Sequence, residues 1–231
     1  PFGVAVGDDG SVYVADVEND RIVKLAPDGV LAGWELGYEG IVSGPGPNDG
    51  FYEPYGVAVA TDGSVYVADT SNHRIQVFDP SGTFLWKFGE LGSGDGQFDV
   101  PYGIDLDSAG NIYVADSENH RIQIFDSQGN FLTKFGSFGS DAGEFHEPYD
   151  VVVDHAGKIY VADEENHRIQ VFRPVPEPTS WTIALSGLLG LLAFRRRKCS
   201  PRLLQGSRLT CLMPVHGPNV PRVDLEKSTR G

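Results

Sequence analysis

Three histidines at equivalent places are the residues of this chain whose type and spacing could do chemistry. His73, His120 and His167 recur at intervals of 47 residues. Three imidazoles could share one metal ion, but each ligand atom would have to lie about 2 Å from it. Each histidine belongs to a turn that a repeated sheet unit places away from the common axis, which favours single solvated or turn-bonded imidazoles. We therefore predict no metal site and no cofactor.

Three tyrosines recur with the same spacing. Tyr55, Tyr102 and Tyr149 each follow a proline, and Phe2 holds the place in the first copy. Such rings could surround a central channel and stack on sugars or apolar ligands, or they could pack between repeated units. Packing is favoured, because aromatic side chains bury a large area and a hydroxyl needs only one wet end. Together with the three histidines, these tyrosines form the predicted ligand-binding face.

Aspartate and arginine also recur in every copy. A ring of charged ligand contacts is one interpretation, but the favoured one is structural: each aspartate accepts hydrogen bonds that fix its own turn, and its arginine ties units together. The aspartates are Asp16, Asp69, Asp116 and Asp163, and the arginines are Arg21, Arg74, Arg121 and Arg168.

One stretch has a faint likeness to a calcium loop. Asp105, Asp107 and Asn111 alternate in DLDSAGN, but no glutamate arrives at the twelfth position. The stretch is therefore predicted to be a hairpin turn.

Catalytic constellations are missing from the repeated part of the sequence. It contains no serine in a nucleophile elbow, no cysteine and no phosphate-cradling loop. We predict no catalytic residues and a protein that is not an enzyme. The rival is an exported metal-dependent hydrolase or lyase, which a copy with distinctively polar channel-facing residues would favour.

These residues are positioned by four copies of one pattern. VYVADVENDRI, VYVADTSNHRI, IYVADSENHRI and IYVADEENHRI begin at residues 12, 65, 112 and 159. Around each, short Val-, Ile-, Tyr- and Phe-rich stretches alternate with turns such as TDGS and DPSG, which predicts a four-stranded antiparallel meander. Repeated meanders of this length are the blades of an all-β propeller. We predict it over residues 1–173, with repeats at about 1–36, 54–89, 101–136 and 148–172.

The pattern Pro-Tyr-Gly, [VI]-Y-V-A-D, N-H-R-I-Q-[VI]-F and F-L-x-K-F-G resembles the NHL repeat. Asp20 departs from it in the first copy, where the others have histidine, and Asp150 replaces a glycine in the last. The fourth blade is predicted to be incomplete, because Arg173 and Pro174 stand where its outer strand should follow. A chain truncated within a larger propeller is favoured over a four-bladed ring that lacks one strand.

Charge divides the chain at the same place. Residues 1–173 carry a formal net charge of −20 and residues 174–231 one of +6. An acidic propeller repels phosphate backbones, so we predict no nucleic-acid partner.

A second informative segment, PVPEPTSWTIALSGLLGLLAFRRRK, covers residues 174–198. Its prolines favour an extended start, and residues 179–194 carry no charge before a cationic cluster, which predicts a short transmembrane helix. A buried globular helix is the alternative, but it would leave four adjacent cations unexplained.

This segment resembles the PEP-CTERM sorting signal of Gram-negative envelope proteins. Pro176, Glu177 and Pro178 match its recognition motif, and the cytoplasmic stop matches Arg195, Arg196 and Arg197. The resemblance implies export, transient anchoring in the inner membrane, processing by an exosortase-type membrane protease, and delivery to the cell surface or extracellular matrix. The ligand there is predicted to be an unknown extracellular protein or polysaccharide.

The tail over residues 199–231 shows no hydrophobic period and is predicted to be disordered. It holds both cysteines, Cys199 and Cys211. A disulfide between them is one alternative, and a cytoplasmic position that keeps them reduced is the other.

Overall fold

The computed structural model describes residues 1–37, 50–175 and 222–225. It divides into two units, Pro1–Pro174 with Val223–Gly231 and Val175–Arg222. The second unit lies almost entirely outside the described residues, so the architecture below is that of the first.

Four antiparallel four-stranded sheets follow one another along the chain, as the repeats predict, and we call them blades 1 to 4. β-branched and aromatic residues supply the strands, and turns that contain a glycine of positive φ, such as Gly63 and Gly110, join the first strand of a blade to the second. Blade 1 consists of β1 (Val4–Val6), β2 (Val12–Asp16), β3 (Arg21–Leu25) and β4 (Leu31–Gly37). Blade 2 consists of β5 (Pro54–Val59), β6 (Val65–Asp69), β7 (Arg74–Phe78) and β8 (Phe84–Phe88). Blade 3 consists of β9 (Pro101–Leu106), β10 (Ile112–Asp116), β11 (Arg121–Phe125) and β12 (Phe131–Phe135).

Blade 4 obtains its fourth strand from outside the repeats. It consists of β13 (Pro148–Val153), β14 (Ile159–Asp163), β15 (Arg168–Val175) and β16 (Arg222–Leu225). The repeat pattern of blade 4 ends at its third strand, as the sequence predicts, and the fourth strand of its sheet is Arg222–Leu225, which lies outside the repeats. An open strand edge presents unpaired N–H and C=O groups, and the short RVDL segment pairs with that edge of β15.

The core is divided among the interfaces between consecutive blades. Between blades 2 and 3, Tyr66, Ala68 and Ile75 pack against Ile104 and Val114. The same two faces meet between blades 1 and 2 and between blades 3 and 4. A linker phenylalanine, at most 2% exposed, completes each interface: Phe51, Phe98 and Phe145. Each blade therefore depends on its neighbours for the burial of both faces.

The two ends of this blade array leave their faces open. Ile169 of blade 4 is 63% exposed, whereas its counterparts Ile22, Ile75 and Ile122 are completely buried. On blade 1, Val4 is 65% exposed. The described part of the chain is thus an open arc of four blades.

Candidate functional site

A buried aspartate closes the turn between the second and third strands of a blade. In blade 3, the carboxylate of Asp116 accepts hydrogen bonds from the Asp99 amide (2.8 Å), Asn119 Nδ2 (2.9 Å), Arg121 Nε (2.6 Å) and Gln123 Nε2 (2.9 Å). Burial raises the pKa of Asp116, and the amide and guanidinium donors oppose that shift. Asp69 and Asp163 accept corresponding bonds in blades 2 and 4. This recurrence confirms the structural interpretation of the repeated aspartates.

The arginine beside each aspartate fixes the linker that leads into its blade. Arg121 donates to the carbonyl oxygens of Ser93 (2.8 Å), Gly94 (2.8 Å) and Gln97 (3.0 Å). In blade 4, Arg168 donates to three carbonyls of the next linker in the same way. The arginines therefore tie successive blades through the linkers, as the sequence predicts.

Two of the histidines form hydrogen bonds between consecutive blades. His73 and His120 have left-handed backbones, with φ of 52° and 53°. The Nδ1 of His73 accepts a hydrogen bond from the Val100 amide (3.1 Å), and that of His120 accepts one from the Glu147 amide (3.2 Å). Each acceptor thus holds the residue that precedes the next blade's first proline. The prediction of turn-bonded imidazoles is confirmed for these two.

In blade 1, Asp20 accepts the hydrogen bond that a histidine accepts in blades 2 and 3. Its backbone is left-handed as well, with φ of 50°, and its Oδ1 accepts a hydrogen bond from the Glu53 amide (2.7 Å). His167 has the same backbone but lies in a shallow cavity of about 600 Å³ on the open face of blade 4. The structure therefore places the three histidines at successive blades rather than bringing them together.

The tyrosines, in contrast, come together at the axis. Ring centroids are 4.8 Å apart between Phe2 and Tyr55, 4.7 Å between Tyr55 and Tyr102, and 4.6 Å between Tyr102 and Tyr149. The last two rings are stacked, with an interplanar angle of 24°. Burial, followed by neighbouring phenols and carboxylates, raises the pKa of Tyr102 and Tyr149. The four residues form an aromatic cluster of neutral rings.

This cluster lines one part of a groove along the inner edges of β1, β5, β9 and β13. The groove has a cavity volume of about 340 Å³, and we call it the axial groove. Two carboxylates, Asp105 and Asp150, also line it. In the repeat pattern, Asp105 stands where the other blades have Ala5, Ala58 and Val152.

The sequence did not predict that Asp105 and Asp150 would line the same groove. Asp105 accepts hydrogen bonds from the amides of Leu106 (2.9 Å) and Val153 (2.7 Å), and Asp150 accepts one from the Val151 amide (2.9 Å). Although Asp150 is exposed to the groove itself, the surrounding chain desolvates both groups and raises the pKa of each. The signal in the sequence was present: each aspartate replaces a small or apolar residue of the repeat.

Asp107 belongs to the hairpin and not to an ion site. It accepts hydrogen bonds from the amides of Ala109 and Asn111, both at 2.9 Å, and from Asn111 Nδ2 at 2.8 Å. The hairpin prediction for DLDSAGN is confirmed. Within residues 1–37, 50–175 and 222–225, no group of three or more His, Cys, Asp or Glu side chains could hold a metal ion.

The sorting residues cannot be placed in this geometry. Pro176, Glu177 and Pro178, the predicted helix over 179–194 and Arg195, Arg196 and Arg197 lie outside the described residues. The same holds for both cysteines. Among the residues that are described, no helix is long and apolar enough to cross a membrane.

Two family models match the chain. The model described as the NHL repeat matches residues 1–25, 51–78, 98–125 and 145–172. The model described as the PEP-CTERM protein-sorting motif matches residues 174–198. Each NHL match covers the first three strands of one blade, and the second model matches the proline-led apolar segment.

Curated relatives share single stretches of the repeats. The chain is 55% identical to Protein brain tumor of Drosophila melanogaster over 47 residues, which are 20% of this chain and 4% of that protein. It is 46% identical to RING finger protein nhl-1 of Caenorhabditis elegans over 97 residues, 38% of this chain and 10% of that protein. NHL repeat-containing protein 3 of Homo sapiens is 38% identical over 82 residues, 34% of this chain and 22% of that protein. The matched stretches thus span less than a quarter of these relatives.

Solved structures share the architecture. A streptogramin B lyase aligns with a TM-score of 0.54 at 15% identity, over 78% of this chain and 56% of that chain. A protein of unknown function from Bacteroides thetaiotaomicron aligns with a TM-score of 0.54 at 19% identity, over 72% of this chain and 45% of that chain. At such identities the likeness shows the fold alone, and the chain spans about half the length of these structures.

Proposed function

We propose that this chain, which carries four matches to the NHL repeat followed by a PEP-CTERM protein-sorting motif, is a non-enzymatic binding or scaffold propeller of the cell surface. An exosortase-type membrane protease processes it after export and transient anchoring in the inner membrane. From there it reaches the cell surface or the extracellular matrix.

The order of the two matched segments carries this proposal. The last NHL match ends at residue 172, and the sorting motif begins at residue 174. No long linker separates them, because the motif begins within the last two residues of β15, and the propeller is therefore its cargo. Such an arrangement supports delivery of a rigid blade array to one destination.

Binding rather than catalysis is supported by what the blades repeat. The charged residues that recur, such as Asp116 and Arg121, form hydrogen bonds within the turns and linkers. The blades carry a formal net charge of −20 within residues 1–173, which disfavours nucleic acid and suits a soluble extracellular surface. The axial groove remains as a surface for an extracellular protein or polysaccharide.

Co-expression of the full chain with an exosortase-type protease tests the proposal. We expect the chain to be shortened and released, and the variant Glu177→Ala to remain full-length in the membrane fraction. Pro174→Ala is the matched control, because it changes the same proline-rich segment outside the Pro-Glu-Pro triplet. Persistence of the unprocessed chain beside an active protease, or equal processing of Glu177→Ala, would contradict the sorting role.

An exported metal-dependent hydrolase or lyase is the second candidate, and one observation favours it. Asp105 and Asp150 break the symmetry of the blades at the axis, where a catalytic site of a propeller would differ between copies. Elemental analysis of the purified full chain separates the candidates. Stoichiometric Zn or Ca that is lost in Asp105→Asn would favour the enzyme, whereas metal-free protein that still binds its ligand would favour the binding role.

A further inference from the structure

The axial groove departs from the repeat at two carboxylates. In a molecule whose structural residues recur in each blade, Asp105 and Asp150 occur once each. Their counterparts in the other blades are small or apolar, namely Ala5, Ala58 and Val152 for the first and Gly3, Gly56 and Gly103 for the second. Blades 1 and 2 form their inner strands β1 and β5 without such groups. The repeat itself therefore does not require a carboxylate at either position.

Among the described residues, no side chain balances the charge of these two carboxylates. Within this part of the chain, Asp105 and Asp150 accept hydrogen bonds from neutral backbone amides, those of Leu106, Val151 and Val153. Within the described ranges neither forms an ion pair with a lysine, arginine or histidine. The charge of Asp105 contributes to raising the pKa of Asp150, so the two groups repel each other, and a cation bound near both would relieve that cost.

The aromatic cluster supplies the second half of the site. Phe2, Tyr55, Tyr102 and Tyr149 line the same cavity as the two carboxylates. Phe2 is 62% exposed, and Tyr102 and Tyr149 carry phenol groups that can donate and accept hydrogen bonds. Aromatic rings also attract cations through their electron-rich faces.

We propose that the axial groove binds an amino sugar, whose protonated amine lies at Asp105 and Asp150 and whose ring packs against the aromatic cluster. This rests on the proposed function as a surface binding protein and names its ligand class. A cavity of about 340 Å³ is at the lower end of ligand pockets and suits a segment of one or two rings. A sugar ring matches the cluster by combining apolar C–H faces with hydroxyls for the phenols and the edge-strand backbone.

Calorimetric titration with short glucosamine oligomers tests the proposal on the full chain. We expect binding that weakens as salt is added, because the contact is ionic. Asp105→Asn should weaken it by about 10-fold or more, since hydrogen bonds to charged groups contribute about 1.5–3 kcal/mol, and tenfold corresponds to about 1.4 kcal/mol. Asp8→Asn, on an exposed hairpin outside the groove, is the matched control and should bind as the parent does.

Two further ligands decide the chemistry. N-acetylglucosamine oligomers of equal length keep the ring but lose the charge, and we expect them to bind at least 10-fold more weakly. Equal binding of both oligomers would overturn the role of the amine, and binding of lysine oligomers without glucosamine oligomers would overturn the saccharide. No binding of glucosamine oligomers would overturn the proposal as a whole. Processing of the chain at its sorting motif is measured separately, so failure here is distinct from failure of surface sorting.

Discussion

The same four repeats form the turns and the axial groove. The hydrogen bonds of the turns recur from blade to blade, whereas the residues that line the groove differ between blades. In the turns, Asp116 and its counterparts in blades 2 and 4 accept the same set of hydrogen bonds. In the groove, blades 1 and 2 present glycine and alanine, whereas blades 3 and 4 present Asp105 and Asp150. Recurrence therefore marks what each blade needs to fold, and departure marks where the molecule can do something specific.

Removal of a buried turn contact should have the largest effect. Arg121→Ala leaves the fully buried carboxylate of Asp116 without its cation and frees three linker carbonyls. We expect a loss of about 3–5 kcal/mol in the free energy of unfolding, measured with urea. Arg21→Ala in blade 1, where the pair is partly exposed, should cost about 1 kcal/mol or less. Equal losses would show that burial does not set the strength of these pairs.

Close packing of the inner strands gives the second prediction. A Cβ on Gly56 would collide with the carbonyl oxygen of Tyr102 in the next blade, and this backbone contact cannot be relieved by a side-chain rotation. Gly56→Ala should therefore lower the free energy of unfolding by about 1–3 kcal/mol. Gly7→Ala is the control, because its nearest obstacle at 3.0 Å is the side chain of Asp9, which can move. A neutral Gly56→Ala would mean that the inner strands are less tightly packed than they appear.

The hydrogen bond that His120 accepts from the next blade should have a smaller effect. It also tests whether histidine and aspartate are equivalent at this position. His120→Ala leaves the Glu147 amide without its acceptor, which should lower the free energy of unfolding by about 1–2 kcal/mol. His120→Asp should retain most of the stability, because Asp20 performs this role in blade 1.

His167→Ala on the open face should change the free energy of unfolding by less than about 0.5 kcal/mol. A large loss in the free energy of unfolding for His167→Ala would contradict this role of the histidine. Equal losses for His120→Asp and His120→Ala would contradict it as well.

The smallest expected effect is on the pH dependence of stability, which should have opposite signs for two aspartates, Asp105 and Asp79. The folded-state pKa of Asp105 is raised by burial, so its carboxyl favours the fold below the unfolded-state pKa and loses that contribution as pH rises through the folded-state value. Asp105→Asn should thus be slightly stabilising at pH 7 and neutral in acid.

Asp79 is the counterpart in a hairpin, where hydrogen bonds from Ser81 and Thr83 lower its pKa. Its contribution is present above the unfolded-state pKa and is lost as pH falls through the folded-state value. Asp79→Asn should destabilise at pH 7 and be neutral in acid. Thermal unfolding from pH 3 to 7 measures both, and the same sign for the two variants would contradict the assigned environments.

Much of the fold could be predicted from the sequence, because the strands and turns of a blade are local. Stretches rich in Val, Ile, Tyr and Phe indicate the strands, and turns that contain glycine indicate the hairpins, without knowledge of distant contacts. The structural role of Asp116 was predictable for the same reason, since Asn119 and Arg121 are its near neighbours in sequence. The pairing of β15 with Arg222–Leu225 was not, because that segment carries no repeat and is recruited from far along the chain.

The equivalence of Asp20 and histidine could not be recognised from residue types. Both side chains place an acceptor at the same distance from a left-handed backbone, but the donor belongs to the next blade, 27 residues away for His120 and 33 for Asp20. Only the packing of blades shows that an apparent departure from the repeat preserves its contact.

The sequence by itself determined the blade architecture and the sorting motif, since both are written in local patterns that recur or stand in order. The tertiary structure decided which departures share a site. Asp105 and Asp150 belong to different blades, and they line one groove only because the inner strands β9 and β13 converge on the same axis. Convergence of that kind depends on how neighbouring blades pack, and no local pattern specifies it.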